Sequence, residues 1–150
     1  MYGAKASGKA QYVVYAPRMD EHLVGRLELV ADLRRADIES EFVLHYQPIV
    51  ELSSGAVLGT EALVRWQHPS RGLLQPTEFI HFAEESGRIL EIGSWVLCEA
   101  TRQTAEWQRQ LVGAANLLVS VNVSTRQVRR PGLIEDVESA LASSGLGPNI

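Results

Sequence analysis

Glu61-Ala62-Leu63-Val64-Arg65 decides the reading of this 150-residue chain. It lies in a run from Ala56 to Trp66 with strand-like alternation. Val57, Gly59, Glu61, Leu63 and Arg65 fall on one face, and Ala56, Leu58, Thr60, Ala62, Val64 and Trp66 on the other. A carboxylate, an apolar contact and a guanidinium on one face can hold a metal ion, a flat ring and a phosphate. At about 3.3 Å per residue, Arg65 lies roughly 13 Å along the strand from Glu61, so the two would grip different parts of a ligand rather than each other.

Just upstream, Phe42 to Val50 reads as a strand, and Ser53-Ser54-Gly55 turns it back into the Glu61 strand as a hairpin. Downstream, Gln67 to Gln75 is expected to be a loop, broken by Pro69 and Gly72. Pro76-Thr77-Glu78 opens a helix with Thr77 as its cap, and Gly87 closes it. Leu90, Gly93, Leu97, Ala100, Thr104, Trp107 and Leu111 recur at three and four, which predicts a longer helix ending near Gly113. A third strand spans Leu117 to Val123, a further helix Pro131 to Ser144, and Gly145-Leu146 is a helix stop.

In the third strand Leu117, Val119, Val121 and Val123 share one face, against Leu118, Ser120, Asn122 and Ser124. Strands joined through long amphipathic helices are covered by them on the outer face, so the polar stripe faces an interior. In a β/α barrel that interior is packed, and polar residues near strand C-terminal ends build the site. Glu61 and Asn122 sit near such ends. Taken singly, each candidate also has an ordinary reading. Glu61 can be a solvated strand glutamate, Asn122 an amide satisfying a turn or the core, Gln47 a bond to neighbouring backbone, Arg65 a surface cation, and Ser124 the cap of the turn into Thr125.

Composition sets limits. With 45% apolar and 21% charged residues, the chain is ordinary for one soluble domain able to bury a core. A net charge of -4 provides no basic field for a nucleic acid polymer, although local cations can hold a small phosphodiester. Cys98, the only cysteine, excludes an internal disulfide; it falls in a helical pattern that predicts packing and fits a reducing cytoplasm. No apolar run approaches the roughly 20 residues of a membrane span, so no membrane contact is expected of this segment. His22, His45, His68 and His81 lack His-Glu-x-x-His spacing, and neither Gly-x-Ser-x-Gly nor Gly-x-x-x-x-Gly-Lys occurs. Trp66, Trp95 and Trp107 read as packing residues.

Four ordered motifs carry a resemblance: Tyr46-Gln47-Pro48-Ile49; Glu61-Ala62-Leu63 with Arg65-Trp66; Pro76 with Phe79-Ile80; and Ser120-Val121-Asn122-Val123-Ser124. Together they resemble the first half of the EAL family of cyclic diguanylate (c-di-GMP) phosphodiesterases. The resemblance implies an α/β fold, an incomplete TIM-like (β/α) barrel with one antiparallel strand, spanning 42–150. It implies Mg2+ or Mn2+ as cofactor, with Glu61 and Asn122 as metal ligands and Gln47, Leu63, Arg65 and Ser124 as substrate contacts. The implied activity is hydrolysis of a phosphodiester bond of c-di-GMP to give linear diguanylate.

The family's remaining metal ligands, its catalytic lysine and a later loop glutamate match nothing in this sequence, so no catalytic residue beyond the metal ligands is assigned. The chain alone is expected not to turn over, and to self-associate or join the remainder of a longer protein. A catalytically inactive EAL module, sensing c-di-GMP or binding a protein, is the alternative; a purely structural or dimerising segment is a third reading.

At the other end, Tyr2, Ala4 and Lys5, followed by a Tyr12 to Tyr15 strand stopped by Pro17, resemble the last strand of a GGDEF diguanylate cyclase domain, assigned to 1–17. A connector helix over 18–41 follows, with Met19, Leu23, Leu27, Val30 and Leu33 as its apolar stripe.

Overall fold

The computed structural model describes residues 17–147, with side chains from Gly25 onward. The GGDEF-like tail and its strand lie outside the described residues. Helix α1 (Pro17–Arg35) and the single turn α2 (Ile38–Glu41) lead into strand β1 (Phe42–Val50). Strand β2 (Val57–His68) follows, then the short β3 (Gly72–Leu74), helices α3 (Pro76–Ser86) and α4 (Ile89–Gln110), strand β4 (Leu118–Val121), and helices α5 (Thr125–Arg129) and α6 (Leu133–Ser144).

The sheet is built around β2. Strand β1 pairs with it antiparallel from Phe42 opposite Trp66 to Val50 opposite Val57, with a register shift at Ile49/Val50. On its other side β2 has two partners at different ends: β4 runs parallel to Gly59–Ala62, and β3 runs antiparallel to Trp66–His68. Between them, residues 63–65 have no ladder partner on that side among the described residues. One antiparallel and one parallel neighbour around a central strand is the start of the modified barrel expected from the sequence. Gly59 permits the β2–β4 approach, because a Cβ there would lie 2.6 Å from the carbonyl oxygen of Leu118.

Alternation decides which face meets the helices. Thr60, Ala62, Trp66 and His68 of β2 are buried. Trp66 is the centre of the core, stacked on Phe42 at 5.7 Å with Phe79 edge-on to both. Leu29, Leu33 and Ala36, then Ile89, Ile92 and Val96, complete this core. The Trp66 indole donates to Glu41 Oε2 at 3.0 Å, so its one polar atom is satisfied. Arg88, at the head of α4, donates to the carbonyls of Leu33 (3.3 Å) and Ala36 (2.5 Å), which the end of α1 leaves without helical partners.

Several local expectations are corrected. The connector helix breaks after Arg35, where Asp37 caps α2 by accepting from Glu39 N–H. Among the residues whose side chains are described, Leu33 of its predicted stripe is buried and Leu29 joins it, whereas Leu27 is 64% exposed. The expected loop after Trp66 contains β3, formed as the chain doubles back at Gly72 (φ 73°). Gln75, not Thr77, is the N-cap of α3, and its backbone N–H is held by the Glu78 carboxylate at 2.7 Å with Pro76 in the first turn. Helix α4 ends at Gln110, ahead of Gly113, and Leu111 is 54% exposed. Cys98 faces solvent, since the buried α4 positions are Val96, Leu97, Ala100 and Thr101. The third strand is shorter than read, and an additional helix, α5, follows it.

Candidate active site

The face of the sheet opposite the helices carries the polar residues. Gln47 stands directly across from Glu61 in the antiparallel β1–β2 pair, and Ser120 stands beside Glu61 in the parallel β2–β4 pair. These three side chains form one row across three strands, since paired residues project to the same face. Leu63 is opposite His45 and Arg65 opposite Val43 on that face.

Asn122, just beyond the end of β4, donates its Nδ2 to Glu61 Oε1 at 2.7 Å. A hydrogen bond this short to a carboxylate is charge-assisted. It joins Glu61, the fifth residue of β2 and not, as expected, near that strand's C-terminal end, to the residue just past the C-terminal end of the parallel β4. With its nitrogen committed to Glu61, the amide still has its oxygen as an acceptor, and the pair offers carboxylate and amide oxygens as donor atoms for a cation. Both are hard donors of the kind Mg2+ and Mn2+ take. The donor types fit such a cation, whereas their number is short of its six positions. Among the described residues no group of three or more His, Cys, Asp or Glu is arranged to hold a metal.

Arg65 is half-buried and anchored by Nη1 donating to the carbonyl of Val64 at 2.8 Å; its Nε is buried with no partner among the described residues. An unpartnered guanidinium N–H is costly unless an acceptor arrives. Arg65 makes no ion pair with Glu61 among the described residues, in line with their separation along β2. On the opposite face, Tyr46 packs edge-on against Trp107 at 4.7 Å, and burial, with the Glu99 charge adding to it, pushes its phenol well above the usual range.

Ser124 is the N-cap of α5. Its Oγ accepts from Gln127 N–H at 3.2 Å, and its own N–H donates to Gln127 Oε1 at 3.1 Å. The hydroxyl proton remains available as a donor. The structure thus brings Gln47, Glu61 and Asn122 together, sets Leu63 and Arg65 farther along the same face, and places Ser124 at the start of the helix beyond Asn122. Sequence reasoning missed Ser120, whose register beside Glu61 only pairing reveals, and Gln127. The signal for Gln127 is Ser124-Thr125-Arg126-Gln127, which fits the Ser-x-x-Gln capping box.

Known proteins are similar to this chain in sequence and fold. The EAL domain family description matches residues 30–150. Over 149 residues the chain is 40% identical to the bifunctional diguanylate cyclase/cyclic di-GMP phosphodiesterase MucR of Pseudomonas aeruginosa, covering 99% of this chain and 22% of MucR. It is 44% identical over 128 residues to the cyclic di-GMP phosphodiesterase PdeR of Escherichia coli, covering 85% of this chain and 19% of PdeR. The structure of the PaMucR phosphodiesterase in its c-di-GMP complex superposes with a TM-score of 0.75 at 43% identity, over 81% of this chain and 48% of that one. The chain therefore spans about a fifth of these curated relatives' length. With a family match over most of its residues and the Glu61–Asn122 pair in place, the chain belongs to the EAL domain family.

Proposed function

We propose that this chain supplies one side of a c-di-GMP phosphodiesterase site, in which Glu61 and Asn122 hold Mg2+ or Mn2+ and Gln47, Leu63, Arg65 and Ser124 contact the dinucleotide. The observation that carries the reading is the 2.7 Å contact between Asn122, just past the end of β4, and Glu61 in the part of β2 that pairs parallel with it. When bound, the cation polarises a phosphoryl oxygen and lowers the pKa of bound water. The chain's own residues bind and orient. Arg65, whose buried Nε has no partner among the described residues, is suited to a phosphate oxygen, and Leu63 offers an apolar surface to a purine ring. Ser124, its oxygen already accepting from Gln127 N–H, still has a proton to donate to an anionic ligand.

Two oxygen donors leave the coordination of a divalent cation incomplete, so the 150-residue chain binds without turning over, and turnover belongs to a longer protein. The named activities of MucR and PdeR support the substrate class. The alignment with the bifunctional MucR over 99% of the chain supports residues 1–17 as the end of a cyclase-type domain, with α1 as connector.

Incubation with c-di-GMP and Mg2+ or Mn2+, followed by chromatography of the nucleotides, tests the reading together with calorimetric titration. The expected result is metal-dependent binding, weakened by Arg65→Ala and Glu61→Ala, with no linear product. Cleavage that Glu61→Ala abolishes would contradict the binding-only behaviour of this chain. Metal-dependent binding indifferent to Glu61 and Arg65 would contradict the site.

A further inference from the structure

Helix α4 has a notch at Gly93, and a side chain from the far side of β4 fills it. Gly93 is buried, and a Cβ built on it would lie 2.0 Å from Gln127 Nε2 and 2.5 Å from its Cδ. A side chain at position 93 would therefore require the amide end of Gln127 to move from its present place. Gln127 is 6% exposed, although it belongs to a five-residue helix whose other members face solvent. Its amide is the inner half of the reciprocal cap with Ser124: Oε1 accepts from Ser124 N–H, and its backbone N–H donates to Ser124 Oγ.

Asn122 and Val123 form the link between β4 and this cap, and both are exposed. An open cavity of about 460 Å³ borders the link, and Leu63, Ile92, Gly93, Asn122, Ser124 and Gln127 are among the residues that line it. Apart from the Asn122–Glu61 bond itself, the link is held at its two ends by the β4 ladder ending at Val121 and by the Ser124–Gln127 cap. An exposed amide on a short link keeps a single orientation only if both ends are fixed.

We infer that Gln127, seated in the Gly93 notch of α4, is a positioning residue that fixes the link after β4 and so orients the Asn122 amide onto Glu61. Its functional weight rests on the proposed role of the Glu61–Asn122 pair; the geometry itself needs neither metal nor nucleotide. Gly93 and Gln127 act as one unit. Filling the notch expels Gln127, and removing the Gln127 acceptor releases Ser124 N–H.

The test reads the Asn122 side-chain amide by 15N–1H NMR in the intact chain, free of metal and nucleotide. Signals are assigned through Asn122→Asp, and the bond to Glu61 is identified by the shift that Glu61→Gln causes. Gln127→Met keeps the volume and removes the acceptor; Gln127→Glu keeps an acceptor oxygen. The expected result is that Gln127→Met and Gly93→Ala move the Asn122 amide toward its Glu61→Gln position and raise its solvent exchange several-fold, while Gln127→Glu restores part of the shift. The β1–β2 backbone signals stay in place, which separates loss of orientation from loss of fold.

Variants that lower thermal stability but leave the Asn122 amide unmoved would overturn the inference and assign Gln127 a packing role alone. If Gly93→Ala fails to fold, Gln127→Met decides the matter on its own. A normal Asn122 response combined with no metal or c-di-GMP binding would sink the proposed function and leave this inference standing.

Discussion

Asn122 and Glu61, 61 residues apart in sequence, meet through a 2.7 Å hydrogen bond because β4 lies parallel to β2 with Ser120 beside Glu61. The parallel register brings the residue just past the end of β4 alongside Glu61 in β2, and the crossover through α3 and α4 makes that register possible. The candidate site is therefore a product of strand pairing, and disturbing the pairing is expected to disturb the site.

Gly59 is the most sensitive point of that pairing. Gly59→Ala brings a methyl group to 2.6 Å from Leu118 O and 2.8 Å from Leu118 Cβ, so β4 must move outward. The expected cost is about 1–3 kcal/mol. Denaturant titration measures it, and NMR of the Asn122 amide detects its separation from Glu61. An unchanged amide signal would show that β4 does not set the contact.

Trp66 holds the other face of β2. It is 0% exposed and contacts Phe42, Phe79 and His68, so Trp66→Ala is expected to cost roughly 3–5 kcal/mol and unfold much of the population. Trp66→Phe keeps an aromatic ring against Phe42 but loses the bond to Glu41 and part of the buried volume, and it should retain a cooperative urea transition at a lower midpoint.

Acid should weaken the docking of α1. The Arg35 guanidinium, bonded to Asp32 at 2.8 Å, holds the Asp32 carboxyl below the usual carboxylate range, and the contact with buried His68 at 3.2 Å adds to this against the opposing effect of burial. A carboxyl lowered on folding contributes stability that is complete above its unfolded pKa of about 3.9 and is lost as pH falls through the lower folded value. Urea midpoints between about pH 6 and about pH 2.5 should fall less steeply below about pH 4 in Asp32→Asn than in the parent chain. Equal slopes would remove Asp32 from the account.

The chain should also self-associate. Neither β1 nor β4 has a strand partner on its outer edge among the described residues, and Leu118, Val123, Val128 and Ile134 are 46%, 41%, 64% and 72% exposed. Light scattering is expected to give a mass that rises with concentration. A constant monomer mass at high concentration would contradict this.

Periodicity made β1, β2, α3 and α4 legible, because each is long enough to repeat its pattern and each meets one continuous core. The α4 stripe through Gly93, Leu97, Ala100 and Thr104 is buried as read. Short elements were not legible. Strand β3 exists through three pairings to Trp66–His68, which no local propensity specifies. Helix α5 occupies five residues and is held by its cap and by a notch 34 positions upstream. The convergence of Glu61 and Asn122 was expected from alternation and the family resemblance, whereas the expected place of Glu61 near a strand end was wrong, because β2 continues seven residues beyond it. Ser120, Gln127 and the Asp32–His68 contact depend on register and packing, which a single strand's pattern does not contain.

The most direct test of the paired-donor claim is an Mn2+ titration of the chain followed by paramagnetic broadening of assigned NMR signals. The account predicts that the Asn122 side-chain amide and the backbone signals of Glu61, Ser120 and Asn122 broaden first, and that Glu61→Gln abolishes this order. Broadening that begins at the other carboxylates, such as Glu28 or Asp136, with Glu61 and Asn122 unaffected, would contradict it.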